Sequence, residues 1–221
     1  MSVCLMVSLA APLFAETVQE RLGTAADVFS EVMDVPDNAI PQELLTKAHC
    51  AVVVPGLKKA AFVFGGKFGR GFVTCRKLSG PGWGAPGAIR VEGGSFGLQI
   101  GGSSSDVVLL VMNKRGMDKL LSSQFTIGGD ASAAAGPVGR NASANTDALM
   151  HAEILSWSRS RGVFAGVSLE GATLRQDEDA NREMYGRQLE NNEIVMKGIA
   201  PPKGAERLLS LLGKHSAREV K

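Results

Sequence analysis

Glycine is unevenly spread along this chain, and its placement constrains the fold more than any other feature. Of the 27 glycines, 22 fall between Gly56 and Gly171. There they punctuate brief β-rich runs: AVVVPG, AAFVFGG, GRGFVTC, SFGLQIGG and DVVLLVM. Short apolar or alternating runs bounded by glycine turns favour an antiparallel sheet, folded or closed on itself, over a helix bundle. The 221 residues are enough for one domain with short extensions.

The flanks follow a different period. Val18, Leu22, Ala25, Phe29 and Val32 recur at spacings of four, three, four and three, with polar residues between, which predicts an amphipathic helix over 16–34. Pro41 opens a second, shorter helix through Leu44, Leu45 and Ala48. KRGMDKLLS (114–122) predicts a helical crossover, and 176–187 and 201–214 predict C-terminal helices. Residues 146–158 fit either a strand or a helix. The strand is preferred, because Arg159-Ser160-Arg161-Gly162 forms a plausible hairpin turn into GVFAGVSLEG. The expected organisation is therefore a leader over 1–15, a helical segment over 16–48, a β-rich domain over 49–187 and a helical extension over 188–221. The fold class is α+β: a twisted antiparallel sheet or small barrel with N- and C-terminal helices.

The net charge of +2 conceals a strong asymmetry. Residues 16–48 carry seven acids and two bases, residues 49–161 carry six acids and thirteen bases, and residues 162–221 balance at nine each. Lys58, Lys59, Lys67, Arg70, Arg76 and Lys77 follow one another with no acid among them. Such a segment suits an anionic partner: phosphate-bearing lipid, nucleic acid or an acidic protein face. Its plain alternative is a set of lysines that keep sheet edges soluble. Nucleic acid is the weaker option, since the alternating Phe62, Phe64, Phe68 and Phe72 suit a strand core better than a base-stacking platform.

Several catalytic patterns fail on context. Gly93-Gly94-Ser95-Phe96-Gly97 fits G-x-S-x-G, with Asp147 and His151 following in hydrolase order, but Ser95 continues into a strand where the elbow requires a helix. A serine hydrolase using Ser95 stays a minor alternative. GGKFGRG (65–71) matches neither phosphate-loop pattern, and a glycine turn is the expectation there. Asp177, Asp179 and Asn181 begin like a calcium loop, but Arg182 replaces the required glycine. His49, His151 and His215 lack ligand spacing, so no metal, cofactor or catalytic residue is assigned. Asn141-Ala142-Ser143 is a formal glycosylation acceptor, meaningful only in a eukaryotic secretory pathway.

MSVCLMVSLAAPLFA is uncharged and mostly apolar, which predicts a cleaved export signal despite its lack of a basic start. No apolar run reaches the roughly 18 residues a spanning helix needs. Cys50 and Cys75 remain after cleavage. A bridge and a pair of small buried residues are both open, and the second is preferred.

Taken together, AVVVPGLKKAAFVFGGKFGRGFV, GGSFGLQIGG, FTIGGDASAAAGPVGR and SRSRGVFAGVSLEG followed by Tyr185-Gly186 resemble the SYLF domain family, whose fungal members are described as actin-binding. The likeness covers about residues 40–187, with the motifs in order. It implies a non-catalytic module for phosphoinositides and other anionic lipids, and it is similar to bacterial exported members lacking SH3 or FYVE domains. Carried onto this chain, the family's basic positions are Lys58, Lys59, Lys67 and Arg70, with Arg140, Arg159 and Arg161 from its later motifs. With Arg76 and Lys77 these make nine expected lipid-binding residues, assisted by Phe68 or Trp83 at the interfacial zone. The acidic N-terminal helix departs from members that use a basic one, and is assigned to domain packing or a protein partner. The expected protein is exported, periplasmic or extracellular and peripherally bound to an anionic phospholipid membrane. It has no nucleic-acid ligand, and actin is an unlikely partner. A structural or partner-binding envelope protein is the alternative.

Overall fold

The computed structural model describes residues 16–35, 39–62, 64–96, 101–138, 151–160, 163–166, 169 and 171–217. The expected leader over 1–15, Arg140, Arg161, Asp147, the Asn141 acceptor and the turn at 161–162 lie outside them. Helix α1 (Val18–Met33) starts at a capping box in which Thr17 and Glu20 satisfy each other's backbone N–H groups. It buries the predicted stripe Val18, Leu22, Ala25, Phe29 and Val32. Helix α2 (Gln42–Lys47) follows Pro41.

Two long hairpin strands come next, β1 (Cys50–Phe62) and β2 (Phe64–Cys75), then β3 (Gly87–Phe96) and β4 (Gly101–Val111). Helix α3 (Lys114–Leu120) crosses to the short strands β5 (Gln124–Thr126) and β6 (Ala133–Ala135). β7 (Ile154–Ser160), β8 (Val163–Gly166) and β9 (Thr173–Gln176) complete one nine-stranded sheet. Its order is β5-β9-β3-β2-β1-β4-β7-β6, with β8 also on β7. Helices α4 (Glu178–Tyr185), α5 (Asn191–Met196) and α6 (Glu206–His215) end the chain. Gly186 closes α4 at φ +67°, a left-handed position that glycine takes without a Cβ penalty.

The α+β expectation holds; of the ambiguous stretch 146–158, residues 154–158 form the preferred strand, His151 is helical, and 146–150 lie outside the described residues. Two details differ. β6 runs parallel to β7, so the sheet is mixed, and among the described residues no pairing joins β5 to β6, which leaves the barrel open.

Because strand side chains alternate, the curled sheet has two apolar faces. Ala51, Val53, Phe72, Val108, Leu110 and Trp157 meet α1 and α6 on the helical face. Val52, Val54, Leu57, Val73, Ile89 and Leu109 meet α3, β5 and β9 on the other. Arg159 and Arg207 reach α1 through Glu31 and Asp27, so much of the helix's acidity is spent inside the domain. This accords with the packing role expected of α1.

GGKFGRG is neither turn nor phosphate loop: it lies within β2, opposite an irregularity in β1. Between the pairs Val53↔Phe72 and Lys58↔Phe68, β1 has four residues where β2 has three, which is a bulge. Pro55, which has no N–H to give, is tolerated there, and Gly56 takes φ +55°. The Gly56 N–H donates to Asp106 Oδ1 at 2.9 Å. Leu57 and Val54 then fold over Gly69 and Gly71, where a Cβ would collide with them.

Cys50 and Cys75 are register partners at the end of the β1–β2 ladder and form a disulfide, against the preferred reading of two free buried residues. The Arg76 N–H donates to His49 O just beyond them, which makes them a non-hydrogen-bonded pair, the geometry that brings opposed side chains closest. Both are buried, so the burial part of that reading stands.

Candidate anion-binding surface

The basic run does not form a single cluster. A residue pair directly opposed across two strands shares a face. Lys59↔Lys67 therefore faces one side, and Lys58↔Phe68, with Arg70 two residues on, faces the helical side. All four belong to the same end of the sheet, near the β1–β2 turn. Arg76 and Lys77 lie just past the other end of β2, six residues beyond Arg70 and ten beyond Lys67, roughly 20 to 33 Å away at 3.3 Å per residue.

Charge partners divide them further. Among the described residues, Lys58, Lys59 and Lys67 make no ion pair with a carboxylate. Burial, and then the Lys59 charge opposite it, hold the Lys67 ammonium below the usual lysine range. Arg70 is partly engaged, its Nε 3.3 Å from the buried Asp177 carboxylate. Beside Lys58, Phe68 and Arg70, the residues Glu16, Arg21, Pro55 and Gly56 help line a cleft of about 440 Å³.

Two of the nine expected residues have internal duties. Arg76 donates to the carbonyls of Leu45 (3.0 Å) and Ser216 (2.9 Å) and lies 4.2 Å from the Trp83 ring centre, tying α2 and α6 to the sheet. Arg159 is held by Asp106 at 2.7 Å and by Glu31, and Asp106 is the same carboxylate that accepts the bulge N–H. Trp83 is also unavailable to a membrane, being buried with its indole N–H on Ser216 Oγ at 3.0 Å. Phe68, by contrast, is 49% exposed. Lys77 is exposed at the far end.

The hydrolase pattern finds no support in this geometry. Ser95 lies in β3 opposite Gly65, and among the described residues no helix follows it before β4. His151 lines a separate cleft with Glu153 and Ser132, whose Oγ donates to the His151 carbonyl rather than to its ring. Among the described residues no group of His, Cys, Asp and Glu could hold a metal ion.

Residues 92–215 match the family profile described as "Ysc84: Las17-binding protein actin regulator". The chain belongs to the Ysc84 family. The SYLF resemblance is thereby supported on the larger part of the sequence, α4 to α6 included. An SH3 domain-containing protein of Schizosaccharomyces pombe is 37% identical over 78% of this chain and 40% of its own length. The human SH3 domain-containing YSC84-like protein 1 is 32% identical over 85% of this chain and 56% of its own. LAS seventeen-binding protein 3 of Saccharomyces cerevisiae is 34% identical over 80% and 39%. This Ysc84-family chain thus spans about half the length of the curated relatives it matches. The family description is that of a binding protein, and it gives no support to the expectation that actin is an unlikely partner.

Two cations near the site escaped the sequence reading. Arg90 on β3 opposes Arg70, and Arg175 on β9 opposes Arg90. The residues lie far apart in sequence, and only strand register could have brought them together.

Proposed function

We propose that this chain is a non-catalytic binder of anionic phospholipid surfaces, docking through the end of the sheet that carries Lys58, Lys59, Lys67 and Phe68. The observation that carries the reading is that, among the described residues, these three lysines pair with no carboxylate, at a sheet end where Phe68 is half exposed. Although the lysines occupy both faces, a sheet standing on its end presents both faces to one plane. Each ammonium near an anionic leaflet contributes about 1 kcal/mol, so three give about 3 kcal/mol, and Phe68 adds an apolar contact. Arg70 joins them in part, and Lys77, Arg76 and Arg159 stand outside this docking end. Export, with peripheral attachment to a periplasmic or extracellular membrane face, fits the uncharged leader and the Cys50–Cys75 bridge, which suits an oxidising compartment.

The test is co-sedimentation with phosphatidylglycerol and phosphatidylcholine vesicles across a salt series. The triple variant Lys58→Glu, Lys59→Glu, Lys67→Glu should keep its circular dichroism and lose binding to the anionic vesicles. Wild-type binding should fade above about 0.5 M salt, where the Debye length falls below 5 Å. Undiminished sedimentation of the triple variant would refute the docking end.

The family description favours a second reading, in which the same lysines meet an acidic protein face such as an actin filament. Co-sedimentation with filaments and none with anionic vesicles would select it.

A further inference from the structure

The helical face carries an arginine ladder that neither the family description nor the sequence pattern assigns. Arg70 on β2, Arg90 on β3 and Arg175 on β9 are consecutive register partners across three neighbouring strands. Directly opposed residues in such strands lie about 4.5–5.5 Å apart, and like charges there repel. Carboxylates flank the two ends: Asp177 Oδ2 lies 3.3 Å from Arg70 Nε, and Glu92 Oε2 lies 3.7 Å from Arg175 Nε. The central arginine has neither. Among the described residues Arg90 makes no ion pair, and its Nε is buried with no hydrogen-bond partner. The Glu178 carboxylate accepts from Gln176 and Gln188.

With Lys58 and the Arg21–Glu16 pair that lines the same cleft, five cations meet three carboxylates, which leaves two positive charges. Guanidinium groups present planar pairs of donors that match phosphate oxygens two at a time.

We propose that Arg70, Arg90 and Arg175 form a binding site for a phosphomonoester dianion, with Arg90 as its centre. A dianion cancels the excess charge, supplies acceptors to Arg90 and relieves repulsion along the ladder, whereas a phosphodiester carries half that charge. This deepens the membrane reading by naming the head-group class it selects. It rests on that reading only where the phosphate is borne by a lipid.

The site is tested without a membrane by titrating the full chain with inorganic phosphate and with dimethyl phosphate at constant ionic strength, read by calorimetry. Phosphate should bind and dimethyl phosphate should not. Arg90→Gln should weaken phosphate binding about ten-fold, and Arg90→Lys should not restore it, since a point charge lacks the fork. Arg175→Gln, at a half-exposed position, gives the same test should Arg90→Gln misfold. Lys59→Gln with Lys67→Gln, on the other face, should leave the titration unchanged. Equal affinity for both phosphates, or unchanged phosphate affinity in the arginine variants, overturns the site.

Phosphatidic acid and phosphatidylglycerol vesicles of matched surface potential separate the sources. A preference for phosphatidic acid that Arg90→Gln abolishes assigns a lipid-borne phosphate. No preference, with phosphate titration intact, keeps the site and refutes its lipid ligand. Loss of all vesicle binding with the titration intact refutes membrane docking alone.

Discussion

Replacing glycines within GGKFGRG one at a time separates a packing role from a ligand role. Gly71 is the decisive position. A Cβ built there falls well inside contact distance of the Val53 carbonyl oxygen and 2.8 Å from Val54 Cα, both main-chain atoms of the neighbouring strand. No rotamer change relieves such a clash, so β1 would have to move away from β2 at the bulge. Overpacking a well-filled core costs about 1–3 kcal/mol, and a backbone obstruction belongs at the upper end, near 3 kcal/mol. Gly66 is the contrast, because its Cβ would meet nothing closer than Gly93 O at 4.0 Å. Glycine inside a strand is disfavoured relative to alanine by about 0.5–1 kcal/mol, so Gly66→Ala should be neutral or stabilising by up to that amount.

Urea denaturation followed by tryptophan fluorescence measures both. With a slope of about 2 kcal/mol/M, Gly71→Ala should lower the midpoint by about 1.5 M, while Gly66→Ala leaves it unchanged or raised. Gly69→Ala should fall between them, because its nearest obstacles are the side-chain carbons Leu57 Cδ1 (2.8 Å) and Val54 Cγ1 (2.9 Å). A Gly71→Ala midpoint within 0.2 M of wild type, roughly 0.4 kcal/mol at that slope, would refute the account of the bulge.

Two other predictions concern covalent and acid stability. The Cys50–Cys75 bridge spans a sequence separation of 25, and the loop-entropy relation gives about 3.5 kcal/mol for closing such a loop; the Cys50→Ala, Cys75→Ala double variant should lose an amount of that order in urea, and a loss below about 1 kcal/mol would mean the bridge constrains little. His215 packs edge-on to Phe29, and burial, followed by the Lys214 charge, holds its imidazole below the ordinary 6.5 against the pull of Asp34. The unfolded chain therefore takes up the proton first as pH falls below about 6.5, so His215 lowers stability from there down to its folded pKa. Melting temperatures between pH 7 and pH 5 should fall less in His215→Gln than in wild type, and parallel curves would show that His215 contributes nothing.

What the sequence disclosed is what short-range periodicity can encode. Val18, Leu22, Ala25, Phe29 and Val32 announce α1 because each lies within one or two helical turns of the next. The apolar runs around Val52, Phe72 and Leu109 announce strands in the same way. α5 falls inside the helical extension expected over 188–221 but shows no signal as a separate helix, since its six residues hold too few apolar positions to show a period. Arg76 looked like one more base in a run, because the carbonyls that claim it belong to Leu45 and Ser216, 31 and 140 residues away in the chain. The glycines of GRG suggested a turn because their cause is an extra residue in the adjacent strand.

The same distinction governs the basic segment. Contiguity in a strand disperses charge, since each successive side chain points to the opposite face; contiguity in a helix would have spread it around a cylinder. Lys58 and Lys59 are neighbours in sequence and point to opposite faces. A flat approach of either face to a bilayer would therefore use one lysine of the pair and waste the other. Only an end-on approach engages both, and it leaves the helical face, with its arginine ladder beside Phe68, exposed at the rim of the contact. Docking and phosphate selection then reside on one end of one sheet, with Lys58 and Arg70 common to both: lysines that pair with no carboxylate among the described residues supply the long-range attraction, and guanidinium groups fixed by strand register supply the geometry.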